Sequence, residues 1–113
     1  AYLDELTGLP GRRALSEKFR RMGGTYTVAM LDVDHFKKFN DNFGHDAGDA
    51  VLRMIAAKMS QISGGGQSYR YGGEEFSIVF TGKDSRESVR YLEALREAIA
   101  SKPFIIRRVG RRD

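Results

Sequence analysis

Four acidic residues beside two short apolar segments are the part of this sequence with the clearest chemical potential. Asp32 and Asp34 end the apolar run 28–31, and Glu74 and Glu75 follow a pair of glycines. If the two segments are neighbours in a sheet, as nearby elements usually are, these carboxylates converge. Two ionised carboxylates about 4 Å apart repel by roughly 4 kcal/mol at an effective dielectric constant near 20, so a cation is expected between them. Oxygen ligands without histidine or cysteine favour Mg²⁺.

Each acid also has a structural explanation. Asp34 precedes a predicted helix and can serve as its N-cap, and Glu74 and Glu75 by themselves can form a solvated turn. Asp32 is harder to explain in this way, because an acid that ends a buried apolar strand does not serve solubility. The pairing of the two glutamates with the glycines and with Asp32 therefore supports the metal-site interpretation.

A phosphate site is expected next to the acids. The backbone N–H groups at the start of the helix after Asp34, around His35, Phe36 and Lys37, are available to an anion at the positive helix end. The side chain of Lys37 adds a full charge, unless it is simply a solvated lysine like its neighbour Lys38.

Two further side chains could recognise a purine base. Asn40 offers both a hydrogen-bond donor and an acceptor, whereas Asp49 only accepts. A guanine edge presents N1–H and the 2-amino group as donors, so Asp49 could accept from both while Asn40 completes the contact. Asp49 could equally cap a helix that starts near Ala50.

The elements that must position these residues follow from hydrophobic periodicity. Apolar residues three or four positions apart predict helices over about 12–22, after Asp34, over about 50–62 with a loop at 44–49 before it, and from a capping box at Asp84 and Glu87 to before Pro103. Phe43 is expected on the packed side of the helix after Asp34, and Val89 on the packed side of the last helix. The predicted strands are 26–33, buried on both faces, the hairpin segments 67–71 and 75–81, and a last strand from 104. The hairpin turn, Gly72-Gly73, tolerates positive φ at both positions. This order predicts a single α+β domain over residues 1–113, with helices covering a sheet; the last strand has no successor, so the domain looks cut short.

Composition excludes several functional classes. The absence of cysteine rules out disulfides and thiolate metal sites and is compatible with the cytoplasm. No run approaches the roughly 18 apolar residues of a membrane span, and no signal peptide opens the sequence. The formal charge of +4 suits an anionic partner. Part of that charge is an arginine cluster without interleaved aromatics, interpreted as a solvated tail rather than a nucleic-acid site: Arg107, Arg108, Arg111 and Arg112.

Four motifs in matching order and spacing resemble the GGDEF family, the diguanylate cyclases. Between residue 2 and Ile106 they are the opening stretch 4–10, the strand-and-helix motif 32–41, the loop 44–49 and the signature 70–76, Arg-Tyr-Gly-Gly-Glu-Glu-Phe. The resemblance implies a mainly antiparallel sheet flanked by helices, like the palm of nucleotide cyclases and polymerases.

The resemblance also implies roles for individual residues. Asp32, the main-chain carbonyl of Val33 and Glu75 would hold Mg²⁺, or Mn²⁺ in its place. Glu74 would be a second metal ligand or the general base, and which glutamate is the base stays open. The implied substrate contacts are Asn40 and Asp49 to guanine with His45 lining that pocket, Phe36 and Lys37 to the triphosphate, and Gly72 and Gly73 through close backbone approach.

The implied reaction joins two GTP molecules, one on each subunit of a homodimer, into cyclic di-GMP and pyrophosphate. The runner-up is an inactive GTP-binding or signalling module of the same fold. An upstream sensor or receiver domain is expected in the parent protein, which could itself be membrane-anchored.

Three departures from the family pattern matter. The stretch 63–66, Ser-Gly-Gly-Gly, replaces an Arg-x-x-Asp inhibitory site, so no inhibitory site is predicted. Gly11 stands where asparagine is usual. The chain also stops at Asp113, before the segment in which the family usually has a further strand pair and the basic residues that grip the β- and γ-phosphates. The resemblance therefore implies that this chain alone could bind GTP weakly and fail to turn it over.

Overall fold

The structure, a computed structural model, describes residues 3–99 and the backbone of residues 105–112. Its helices and strands are α1 (Arg12–Arg21), β1 (Tyr26–Asp32), α2 (Phe36–Phe43), α3 (His45–Met59), β2 (Gln67–Arg70), β3 (Glu75–Thr81), α4 (Ser85–Ala98) and β4 (Ile105–Arg112). The strands form one four-stranded sheet in the order β2-β3-β1-β4, and every pairing is antiparallel. The predicted α+β fold with an antiparallel sheet flanked by helices is confirmed.

The main core lies on one face of this sheet. Ala29 and Leu31 of β1 and Phe76 of β3 are buried there against side chains of α3 and α4, including Ile55 and Leu92. Because side chains of a strand alternate between faces, the residues between them point to the opposite side, which is covered by the shorter helix α1.

That second face is only partly covered. Leu15 of α1 packs there with Tyr69 and Val79, and Val28 is only partly buried at its edge. β1 therefore alternates between buried and partly exposed residues. The prediction that this strand is buried on both faces is wrong for the α1 side, because a ten-residue helix does not cover the whole sheet.

The region between β1 and α3 differs from the predicted loop and caps. The N-cap of α2 is His35, not Asp34, and no side chain caps this helix. The single residue Gly44, at φ 90°, separates α2 from α3. Since one glycine makes the whole turn, the predicted loop at 44–49 is wrong, and Asp49 lies within α3 instead of capping a helix at Ala50.

The hairpin connection is also different in detail. β3 has the predicted extent, but β2 ends at Arg70, and neither Gly72 nor Gly73 is among the residues with positive φ. The N–H groups of Tyr71 and Gly72 both donate to the carbonyl of Glu75, at 2.9 and 3.1 Å. The connection is thus longer than two residues, so it does not need the left-handed backbone that a two-residue turn requires.

The second half of the chain confirms one cap and corrects two interpretations. Asp84 and Glu87 form the predicted capping box of α4, whereas Val89, predicted to pack, is 46% exposed. The arginine cluster predicted as a tail belongs to β4, whose residues 111 and 112 pair with the start of β1. Pro103 and Phe104 lie outside the described residues. Among the described residues, no helix reaches the length and hydropathy that crossing a bilayer requires.

Candidate active site

Asp32 and Glu75 are directly opposite each other where β1 and β3 meet. The two residues are Cα partners in the antiparallel register, and one residue further the Val33 N–H donates to the carbonyl of Glu74 at 3.1 Å. Side chains of directly opposed residues share one face of a sheet and have Cβ atoms about 4.5–5.5 Å apart. The sequence prediction that acids from the two segments converge is confirmed for this pair.

The pair has the chemistry of a partial metal site. Within residues 3–99 and 105–112, no group of three or more His, Asp or Glu side chains is arranged to hold a metal ion. Two opposed carboxylates with a neighbouring main-chain carbonyl at Val33 still fit Mg²⁺, which keeps several waters and takes phosphate oxygens instead of an all-protein cage. The residues present therefore fit the ion, and a ligand role for Glu74 stays a prediction.

Arg70 holds the glycine turn that precedes Glu75. Its guanidinium donates to the carbonyl of Gly72 at 3.1 Å and to that of Gly73 at 2.8 Å. A Cβ at Gly72 would lie 3.2 Å from Oε1 of Glu75, so this glycine leaves room for the carboxylate beside the turn. The predicted close approach of a nucleotide to Gly72 and Gly73 stays a prediction.

The opening segment anchors the same arginine. Arg70 donates to both carboxylate oxygens of Asp4, at 3.1 and 2.9 Å, and Asp4 also accepts from the backbone N–H and the hydroxyl of Thr7. Burial by itself raises the pKa of Asp4, but the hydrogen bonds from Thr7 and Arg70 and the charge of Arg70 outweigh it, so the pKa is below its ordinary value of 3.8. Asp4 is therefore an ionised support of the turn at neutral pH.

The start of α2 lies just beyond the carboxylate pair. His35 adopts a left-handed conformation, φ 57° and ψ 28°, and its Nε2 is 3.4 Å from Oδ2 of Asp34. Phe36 is half-buried, whereas Lys37 is exposed and its Nζ is 3.6 Å from Oδ2 of Asp41. No side chain caps α2, and a phosphate site at a helix start uses such first N–H groups.

Asn40 of α2, one of the two predicted guanine-reading residues, packs against α3. Oδ1 of Asn40 is buried, and within the described part of the chain it has no hydrogen-bond partner. The Asn40 carboxamide lies against the backbone of Gly48, which immediately precedes Asp49. Asp49 is half-buried and His45, at the start of α3, is exposed. The structure thus places Asn40 against the residue that precedes Asp49, while His45 lies one helical turn before Asp49, and the guanine contacts of all three stay predictions.

The segment 63–66, which stands where the family resemblance implies an inhibitory site, is closely packed. A Cβ at Gly64, where φ is +82°, would lie 2.5 Å from the ring of Tyr91, and one at Gly66 would lie 2.9 Å from Phe80. The position of the missing acid, residue 66, thus has no space for a longer side chain without movement of the core. That this stretch holds no inhibitory site stays a prediction.

Three residues of this region were given no role from the sequence: Asp4, Arg70 and Gly48. Asp4 lies in the opening motif and Arg70 in the signature motif, so their place in these motifs was a sequence signal that they matter. Their pairing across 66 positions is visible only in the fold.

A cleft of about 750 Å³ elsewhere, lined by residues including Lys18, Arg21 and Tyr69, contains none of the predicted site residues.

One family model and several curated relatives match this sequence. The chain matches the family model described as "Diguanylate cyclase, GGDEF domain" over residues 1–112. It is 44% identical over 112 residues to diguanylate cyclase DgcP of Pseudomonas aeruginosa, covering 92% of this chain and 17% of that protein. It is 38% identical over 114 residues to diguanylate cyclase VdcA of Vibrio cholerae, covering 97% and 34%. The chain spans about a third or less of these curated relatives.

Solved structures share the fold. The diguanylate cyclase SiaD of Pseudomonas aeruginosa, solved in complex with its activator SiaC, is similar with a TM-score of 0.91 and 34% identity, over 100% of this chain and 50% of that chain. The GGDEF domain of DgcB from Caulobacter crescentus, solved in complex with c-di-GMP, is similar with a TM-score of 0.87 and 30% identity, over 100% and 78%.

Proposed function

The chain belongs to the GGDEF family of diguanylate cyclase domains, and we propose that it condenses two molecules of GTP into cyclic di-GMP with release of pyrophosphate. The observation that carries this proposal is the direct opposition of Asp32 and Glu75 in the β1–β3 register. A domain of this fold without catalysis would have no need to keep two like charges on facing positions, where they destabilise a sheet.

The carboxylates of Asp32 and Glu75 and the carbonyl of Val33 would hold Mg²⁺, with Mn²⁺ as an alternative. When bound, the ion would supply positive charge for the transferring phosphate and the pyrophosphate leaving group. The protein's own contribution is the fixed pairing of β1 with β3, which keeps the two carboxylates at one place without reorganisation.

Recognition of GTP is assigned to α2 and α3. Asp49 would accept from N1–H and the 2-amino group of guanine, with Asn40 completing the contact and His45 lining the pocket. Phe36 and Lys37 would contact the triphosphate at the uncapped start of α2. In this arrangement the base would lie near Asn40 and Asp49, and the phosphates would lie near the start of α2, beside the carboxylate pair.

The nucleophile is the 3′-hydroxyl of a second GTP. Its proton would pass to Glu74 or Glu75 as the oxygen attacks the α-phosphate and pyrophosphate leaves. Gly72 and Gly73 lack side chains that would keep the nucleotide away from the turn. Because each subunit would bind one GTP, a two-fold homodimer is needed to bring the nucleotides face to face. A domain that consumes GTP would work in the cytoplasm.

The proposal is tested by incubating the full-length protein with GTP and Mg²⁺ and identifying the products by mass spectrometry. Cyclic di-GMP and pyrophosphate in a 1:2 ratio are expected, with a rate that rises more steeply than linearly with protein concentration in the dimerisation range. GTP binding without any product, at concentrations where the dimer is shown to form, would favour the inactive nucleotide-binding module instead.

A further inference from the structure

We infer that Gly48 is a specificity-positioning residue: its missing side chain creates the seat that fixes the Asn40 carboxamide beside Asp49 and so sets the selection of guanine. The inference rests on the proposed binding of GTP. It adds a residue of α3 that touches no nucleotide and acts only through Asn40.

The contact between the two residues leaves no room for a methyl group. A Cβ built on Gly48 would overlap Oδ1 of Asn40, and it would lie 2.8 Å from Cγ of Asn40 and 3.2 Å from Cζ of Phe36. Distances under about 3 Å between carbon atoms are repulsive. The Asn40 carboxamide therefore occupies the space that a side chain at position 48 would take. Any residue other than glycine there would displace it.

Helix propensity gives an independent reason to look for a role. Gly48 lies in the first turns of α3, with the buried residues Val51 and Leu52 following in the same helix. Glycine is among the least favourable residues inside a helix, and Gly48 is not at a positive φ. The helix backbone itself thus does not require glycine, and the contact with Asn40 is the structural reason for it.

The buried oxygen of Asn40 indicates that the position of its carboxamide serves ligand binding. Within the described residues, Oδ1 of Asn40 is buried without a hydrogen-bond partner, although buried polar atoms are nearly always paired. Leaving such an atom unpaired is unfavourable unless a ligand supplies a donor. The guanine 2-amino group is a donor of this kind, and it would approach from the side of Asp49, the residue next to Gly48.

The test compares GTP with inosine triphosphate, which lacks only the 2-amino group. Both are used as α,β-methylene analogues, so that binding is measured calorimetrically without turnover. The protein is expected to prefer the GTP analogue, and Gly48→Ala is expected to weaken GTP binding by about tenfold while changing inosine triphosphate binding much less. Gly23→Ala is the matched control, because a Cβ there meets nothing within 4 Å.

A double-mutant cycle separates positioning from a general structural effect. In an Asn40→Ala background the carboxamide is absent, so Gly48→Ala should cause no further loss of selectivity. The thermal midpoint of Gly48→Ala, which gains helix propensity, should stay close to that of the unmodified protein. Equal loss of both nucleotides, or an undiminished effect of Gly48→Ala without Asn40, would overturn the inference.

A measurement without nucleotide tests the role of Gly48 separately from the proposed binding of GTP. In the ligand-free protein, Gly48→Ala should shift the side-chain amide resonances of Asn40, whereas Gly23→Ala should not. If the unmodified protein binds neither analogue, the proposed function fails, and these resonances still report whether the seat exists. If it prefers the GTP analogue and Gly48→Ala leaves that preference unchanged, the proposed function stands and the role of Gly48 is wrong.

Discussion

Arg70 and Asp4, 66 positions apart in sequence, are joined by two hydrogen bonds of 3.1 and 2.9 Å. The same guanidinium donates to the carbonyls of Gly72 and Gly73. One planar cation therefore links the opening segment to the turn that places Glu75 opposite Asp32. Because guanidinium geometry fixes all of these bonds together, the turn depends on a side chain that itself lies outside the predicted catalytic set.

Replacing this arginine should impair both the fold and the reaction. Arg70→Lys keeps the charge but cannot make the forked bonds, so we expect a loss of about 1.5–3 kcal/mol in the free energy of unfolding. A displaced turn should also lower turnover by roughly 10- to 100-fold. Urea denaturation and steady-state kinetics measure the two effects. Arg86→Lys, on the exposed side of α4, is the matched control, and equal behaviour of the two variants would show that Arg70 does not hold the turn.

The stability of the protein should depend on pH through Asp4. The pKa of Asp4 is lower in the folded protein than its ordinary value of 3.8, so the folded state binds fewer protons than the unfolded state in this range. The resulting stabilisation is complete above the ordinary pKa and is lost as pH falls through the lowered one. Denaturation midpoints measured between pH 6 and pH 2.5 should show this loss, and Asp4→Asn should remove that part of the dependence. An unchanged pH profile in Asp4→Asn would exclude Asp4 as its source.

Gly11 should be a correctable weak point of α1. It occupies the N-cap in an extended conformation, with no side-chain capping bond, and the helix has no acid in its first turn. Gly11→Asn would supply an acceptor for the first N–H groups and is expected to add roughly 0.3 kcal/mol of stability, or about 1–2 °C in the thermal midpoint. Gly23→Asn, past the end of the same helix, is the control. A lower midpoint for Gly11→Asn would show that the glycine is needed for another reason.

The product should not inhibit the protein from outside the substrate site. Residues 63–66 offer no charged side chain, and Gly66 packs where an acid would meet Phe80 and Ile78. Rates measured over a range of GTP concentrations with added cyclic di-GMP should show competition only, with the maximal rate unchanged. A maximal rate that falls as product is added would reveal an inhibitory site that the packing of Gly64 and Gly66 does not explain.

The order of elements could be predicted from the sequence because most segments carry a strong local pattern. β3, with its run of apolar residues, and α4, with its capping box, have nearly their predicted bounds. Local patterns failed where one residue made a turn on its own. Gly44 turns the chain between two helices, so a polar, glycine-containing motif that resembled a loop is helical from His45.

The candidate site could be predicted only where local patterns indicate which elements pair. The opposition of Asp32 and Glu75 follows from the pairing of two strands, which their apolar patterns indicated. The contacts of Arg70 with Asp4 and of Gly48 with Asn40 depend on how separate elements pack, and no local pattern encodes a distance between them. Phe43, expected on the packed side of α2, is 66% exposed, whereas Phe36 and Phe39 are the aromatic residues of α2 that pack against the core in the described part of the chain.

The most direct measurement is the Mg²⁺-dependent formation of cyclic di-GMP by the full-length protein and by its Glu75→Gln variant, with Glu97→Gln on the exposed side of α4 as control. Glu75→Gln keeps the size of the side chain but removes a charge that would hold the ion, a loss of several kcal/mol of charge stabilisation. Circular dichroism should show all three proteins folded alike. The account predicts product from the unmodified protein and from Glu97→Gln, and at least ~100-fold less from Glu75→Gln. Full product formation by Glu75→Gln would contradict it.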